Sequence, residues 1–152
     1  MNPKQKSALS KVFAISGTLL LVAPILFMLV TAIVGSIANR TFLFDYLMLA
    51  EVFPVVALGL ILLVLASLIS RIFAKWIGWS SAAALILLAG ALLYANASGL
   101  ASGALGMDSG AFAVVVGGVA LYNILVAGVA VLGVLLVKKL FQKTTTEPVQ
   151  AE

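Results

Sequence analysis

Polar side chains punctuate this chain rather than alternate along it. Four apolar runs, Lys11 to about Ser36, about Tyr46 to Ser70, Trp76 to about Asn96 and Ala111 to Val137, are separated by short stretches that carry nearly all the charge. Crossing a hydrocarbon core of about 30 Å takes roughly 20 helical residues, and every run reaches that length. The runs are continuous and rich in Leu and Ala, without the period-two alternation of a barrel strand, which excludes a transmembrane β-barrel. The expected fold is all-α: one integral membrane four-helix bundle of up-down topology over residues 1–143. The polar tail 144–152, "TTTEPVQAE", reads as disordered.

Charge orients the runs. Lys4, Lys6 and Lys11 precede the first, Arg71 and Lys75 lie between the second and third, and Lys138, Lys139 and Lys143 follow the fourth. Eight of the nine basic residues thus fall on one side, with Arg40 alone on the other. By the positive-inside rule the N-terminus and C-terminus are both expected to be cytoplasmic, in a plasma (inner) membrane crossed in several passes. A signal peptide cut near Ser36-Ile37-Ala38 is the competing reading of the first run, which is far longer than an ordinary signal-peptide core and is read as a span. Trp76 and Trp79 at the inner end of the third span, and Tyr46 and Tyr94 at outer ends, stand where amphipathic rings prefer the interface.

Composition narrows the chemistry. At 152 residues and 64% hydrophobic, the chain carries more apolar surface than a soluble domain of this size can hide. The net charge of +4 does not point to nucleic acid, because the basic residues cluster at run ends instead of along one face. The lipid bilayer, through its anionic headgroups, is the expected counterpart. There is no cysteine and no histidine. Disulfides, thiol nucleophiles, palmitoylation, His-ligated haem, most zinc sites and a histidine general base are therefore excluded, and no cofactor or metal is expected.

Depth follows from a rise of 1.5 Å per residue. Counted from Arg71, Glu51 lies about 30 Å along the axis, near the outer interface. Counted from Lys138, Asn123 and Tyr122 lie roughly 22 to 24 Å in, and counted from Lys75, Tyr94 and Asn96 lie roughly 28 to 32 Å in. Arg40, Asp45, Glu51, Tyr94, Asn96, Asp108, Tyr122 and Asn123 together form the candidate outer-side polar site. The inner two thirds offer only hydroxyls such as Ser16, Thr18, Ser67, Ser80 and Ser81, which can bond back to their own helices.

Each motif carries a structural reading beside a functional one. Glu51 is the one ionisable residue inside a span, a functional candidate by default. Pro54 lacks an N–H for the Ala50 carbonyl, so the second helix is expected to start afresh or kink near Glu51, making that carboxylate an interfacial helix-start residue with Arg40 as partner. Asn123 with Tyr122 either lines a polar pocket or glues helices together, and glue is preferred. Pro24 is expected to give a static kink. Small residues four apart, Thr31 and Gly35, Ser80 and Ala84, Ala91 and Ala95, Ala113 and Gly117, suit close helix approach. Glycines at 99, 103, 106 and 110 fall in "SGLASGALGMDSG", read as a flexible external loop. Asn39-Arg40-Thr41 and Asn96-Ala97-Ser98 match the glycosylation tripeptide, as chance matches do. Asp45, Glu51 and Asp108 follow no recognised cation-binding spacing.

No family is recognised. Four-span quinone reductases need paired cysteines, haem-bearing four-helix cytochromes need histidines, small multidrug exporters carry a glutamate deep in the first span, and claudin-like proteins have an external Trp with paired cysteines; none of these is present. The leading expectation is a small non-enzymatic integral subunit or accessory protein packing with a membrane-protein partner or with itself as a homo-oligomer. The alternative is a small solute or ion translocator acting as a homo-oligomer with an outer-side polar vestibule. A third is an outer-face lipid-acting enzyme, which would need two of Asp45, Glu51 and Asp108 to converge.

Overall fold

The structure, a computed structural model, describes residues 3–39, 52–103, 106 and 108–145. These fold into four helices, α1 (Pro3–Asn39), α2 (Phe53–Ser70), α3 (Ala74–Ala97) and α4 (Gly110–Thr145), with no strand among the described residues. All four are long and apolar enough to cross a membrane, which makes the chain a multi-pass, all-helical membrane protein. α1 begins before the apolar run that announces it, and α4 continues past Val137 through its lysines to Thr145. Lys and Gln are good helix formers, and no breaker interrupts either extension. Of the predicted tail only 144–145 is described, and it is helical; the remainder lies outside the described residues.

α2 starts where Pro54 allows it to start. Val52 is the N-cap, its carbonyl accepting from the N–H groups of Val55 at 3.0 Å and Val56 at 3.1 Å, and proline occupies the first turn, where its missing donor costs nothing. By contrast Pro24 lies inside α1, which runs on through it. The turn from α2 to α3 is tight and left-handed at two non-glycine residues, Arg71 with φ 56° and Phe73 with φ 54°. Between α3 and α4 the predicted flexible loop contains ordered turns: Ala101 N–H donates to the Ala95 carbonyl at 3.0 Å, and Gly103 N–H to that of Leu100 at 3.1 Å. Gly99 and Gly103 take positive φ, a conformation that explains glycine there better than flexibility does. Ser109 caps α4, its hydroxyl accepting from Phe112 N–H at 3.3 Å.

The helices form a ring in chain order. α1–α2 and α3–α4 are the most intimate pairs, α1–α4 closes the ring, and α2–α3 touch less beyond their turn. Matched contacts climb one helix as they descend its neighbour: Ser10 with Ala66 and Leu21 with Gly59, Lys11 with Phe141 and Thr18 with Gly133, Phe73 with Lys139 and Ala91 with Gly118. Inward-facing residues recur every three or four positions, as in Ala14, Thr18 and Leu21 of α1 or Tyr122, Val126 and Val129 of α4. The opposite faces are just as apolar, with Phe27, Ile86, Leu93 and Ile124 exposed, because lipid and core demand the same chemistry.

At the centre, α1, α2 and α4 meet on three glycines. A β-carbon on Gly17 would stand 2.9 Å from the Gly59 carbonyl oxygen, and one on Gly133 would stand 2.7 Å from Thr18 Oγ1. Leu63 fills the junction, approaching within 3.0 Å of where either β-carbon would lie. The Thr18 hydroxyl is occupied, donating to the Ala14 carbonyl at 2.7 Å.

Candidate functional site

The outer-side candidates divide by position. Arg40, Asp45 and Glu51 lie outside the described residues, and so does the proposed Glu51–Arg40 pairing. Tyr94 and Asn96 close α3 on its exposed surface, where the Asn96 side-chain amide donates to the Leu92 carbonyl at 3.0 Å, a bond within its own helix. Asp108 is exposed in the turn ahead of α4. Tyr122 is different: its side chain is fully buried in the core cluster that also holds Leu88 and Val126, and its hydroxyl has no hydrogen-bond partner among the described residues. Asn123, the next residue, is half-buried.

Register shows how far these groups are from one another. Ala91 of α3 faces Gly118 of α4, so Tyr122 lies one turn farther from the α3–α4 loop than that contact, whereas Tyr94 and Asn96 lie on the loop side of it. Ser81 is the other buried hydroxyl without a partner among the described residues. It sits about 9 Å along the axis from the level of Tyr122, so the two do not face each other as one polar site. The described residues contain a single carboxylate, Asp108, and no group of three metal-ligating side chains.

Other hydroxyls serve the scaffold. Ser67 donates to Val64 at 2.8 Å and Thr31 to Phe27 at 2.9 Å, each bond within its own helix, as their spacing predicts. Ser10 instead crosses from α1 to donate to the Ala66 carbonyl of α2 at 3.1 Å, sharing that acceptor with Ser70 at 2.8 Å. Among the small residues singled out by spacing, Ala91 does pack, its methyl 3.4 Å from where a Gly118 β-carbon would lie, while Gly117 faces open space. The tightest approach uses Gly17, Gly59 and Gly133, which are not four apart from one another. Their signal is the isolated glycine within an otherwise apolar helix, which usually has a packing reason.

At the opposite end, the bundle gathers cations. Lys11, Arg71, Lys75, Lys138 and Lys139 belong to the α1 start, the α2–α3 turn and the α4 end, which the matched contacts bring level. Lys139 Nζ sits 4.4 Å over the Phe73 ring and Lys11 Nζ 5.0 Å over Phe141, so aromatic faces attract two of these ammonium groups. Trp76 and Trp79 stand out from α3 here, 72% and 79% exposed. No protein-family model, curated protein or solved structure matches the chain. The class these observations define is a four-helix multi-pass membrane protein with one basic end and a tightly packed middle where α1, α2 and α4 meet at glycines.

Proposed function

We propose that the protein is a small non-enzymatic integral membrane subunit or accessory protein, packing with a partner membrane protein or with copies of itself. One observation carries this reading: the junction where the backbones of Gly17 and Gly59 meet and the side chains of Thr18 and Leu63 press on Gly133, so that neither Gly17 nor Gly133 has room for a β-carbon. A helix bundle packed this tightly at its centre offers a solute no path through one chain, and the hydroxyls of Ser10, Thr18, Ser67 and Ser70 are spent on backbone carbonyls. The spans run up and down, with both termini on the cytoplasmic face of the plasma (inner) membrane. The collection of Lys11, Arg71, Lys75, Lys138 and Lys139 at one end of the bundle supports that sidedness. Mild solubilisation from native membranes followed by mass measurement tests the proposal. The expected particle is heavier than the 15.7 kDa chain, by a second polypeptide or by a multiple of itself; a bare monomer overturns it.

A second reading, a homo-oligomeric translocator with an outer vestibule lined by Glu51, Tyr122 and Asn123, has one observation in its favour. The Tyr122 hydroxyl is buried and unpartnered among the described residues, as a group awaiting a polar ligand would be. Liposome flux that disappears in Glu51→Gln would establish this reading in place of the first.

A further inference from the structure

One stretch of α3 is open beside two long side chains at the basic end. Ala74, Gly78 and Ala82 follow one another a helical turn apart, and a β-carbon on Gly78 would meet nothing within 4 Å. The result is an open furrow of about 340 Å3, rimmed by the two long side chains Lys75 and Trp79. It begins at the basic end and runs toward the apolar part of the helix. Its rim therefore lies at the depth where indole rings and lysines meet headgroups, and its floor at Ala82 reaches toward the acyl chains.

The charge around the furrow selects its occupant. Arg71 and Lys75 are exposed, and Asp108, the one described carboxylate, lies at the far end of the bundle. A second copy of the chain is a poor fit. Copies in one membrane share an orientation, so a symmetric contact through this furrow would set Lys75 against Lys75. A molecule with an anionic head and an apolar tail meets both demands. We propose that the furrow beside Lys75 and Trp79 binds one anionic phospholipid, its phosphate at the Lys75 ammonium and one acyl chain lying over Gly78 and Ala82. The Trp79 indole N–H supplies a second donor at headgroup depth. The inference needs only that the basic end lies at a membrane surface, whichever side that is, and so stands apart from the subunit reading.

The test uses the full-length protein and four chains. Native mass spectrometry with phosphatidylglycerol and phosphatidylcholine offered together reads how often one of each is retained. Wild type is expected to prefer phosphatidylglycerol about fivefold, the contribution of one well-placed lysine. Lys75→Gln removes the charge and is expected to bring the ratio near one. Gly78→Leu fills the furrow at a position with room for the side chain, and is expected to lower phosphatidylglycerol retention without changing any charge. Lys138→Gln, the same loss of charge outside the furrow, is expected to leave the preference in place. An unchanged preference in Gly78→Leu, or an equal loss in Lys138→Gln, shows diffuse attraction and overturns the site. A wild-type dimer that Gly78→Leu disperses assigns the furrow to a second copy and overturns it as well. Fluorescence in vesicles gives an independent reading, because Trp76 and Trp79 are the only tryptophans. In Trp76→Phe, brominated phosphatidylglycerol is expected to quench Trp79 more than brominated phosphatidylcholine at equal mole fraction, an excess that Lys75→Gln removes; equal quenching overturns the proposal.

Discussion

The backbones of Gly17 and Gly59 touch across α1 and α2, leaving 2.9 Å between the Gly59 carbonyl oxygen and the place a Gly17 β-carbon would occupy. Backbone cannot yield as a flexible side chain does, so any larger residue at Gly17 pushes the two helices apart. Gly17→Val is expected to destabilise the bundle by about 1–3 kcal/mol, the usual cost of overpacking. Gly78→Ala, on the open face of α3, is the control and should cost nothing. Denaturation in mixed micelles, followed by circular dichroism, measures both. Equal stability of the two variants would show that the glycine contact does not hold α1 to α2.

The same junction makes a coupled prediction at α4. A β-carbon on Gly133 would stand 2.7 Å from Thr18 Oγ1, which its 2.7 Å bond to Ala14 holds in place. Gly133→Ala alone should therefore destabilise, and Thr18→Ala should recover part of the loss by removing the obstructing oxygen. The double-mutant cycle is expected to give a coupling of about 0.5–3 kcal/mol, as for residues in contact. Leu63 crowds the same point at 3.0 Å, so the rescue should be incomplete.

These contacts separate what could be read in the chain from what could not. The existence and number of the spans follow from continuous apolar runs, and the start of α2 at Phe53 follows from Pro54. Which face of each helix turns inward does not, because Phe27 or Ile124 toward lipid is as apolar as Leu21 or Val126 toward the core. The importance of Gly17, Gly59 and Gly133 is equally hidden: it depends on three helices converging, which no spacing within one helix reveals. Of the outer candidates, Tyr122 proves to be a core residue and Tyr94, Asn96 and Asp108 surface ones, a division that depth along the axis alone cannot make. The carboxylates Asp45 and Glu51 fall outside the described residues.

The α2–α3 turn was legible in position but not in conformation. Arg71 and Phe73 both adopt left-handed φ, where a β-carbon is unfavourable, and neither Gly nor Asn announces the bend. At the exposed Arg71, Arg71→Gly should exceed Arg71→Ala in stability by about 1 kcal/mol, since glycine meets no such penalty. Phe73 is held by its neighbour, the Lys139 ammonium 4.4 Å above its ring. Lys139→Gln should cost about 0.5–1 kcal/mol in the same denaturation experiment.

Tyr122 separates the two functional readings. A buried hydroxyl without an acceptor among the described residues has no bond there to lose, so Tyr122→Phe should leave stability unchanged or raise it by up to about 1 kcal/mol. If the hydroxyl instead serves a polar ligand in a vestibule, the same substitution should weaken liposome flux while leaving the fold intact. Thermal denaturation and flux on the same preparation distinguish these outcomes.

Sidedness can be tested directly because the chain has no cysteine, so a single introduced thiol reports without background. Ser102 is exposed in the α3–α4 loop, and Ser7 is exposed near the start of α1, at the basic end. With cations held on the cytoplasmic side, a membrane-impermeant maleimide should label Ser102→Cys on intact cells, and should label Ser7→Cys only after permeabilisation. Both substitutions are small and both sites stand outside the core, so labelling reports location and not misfolding. The reverse pattern would turn the bundle over, placing Lys11, Arg71, Lys75, Lys138 and Lys139 outside. The subunit proposal would then have to find its partner on the opposite membrane face. The furrow at Lys75 would remain a lipid site, now drawing its anionic phospholipid from the outer leaflet.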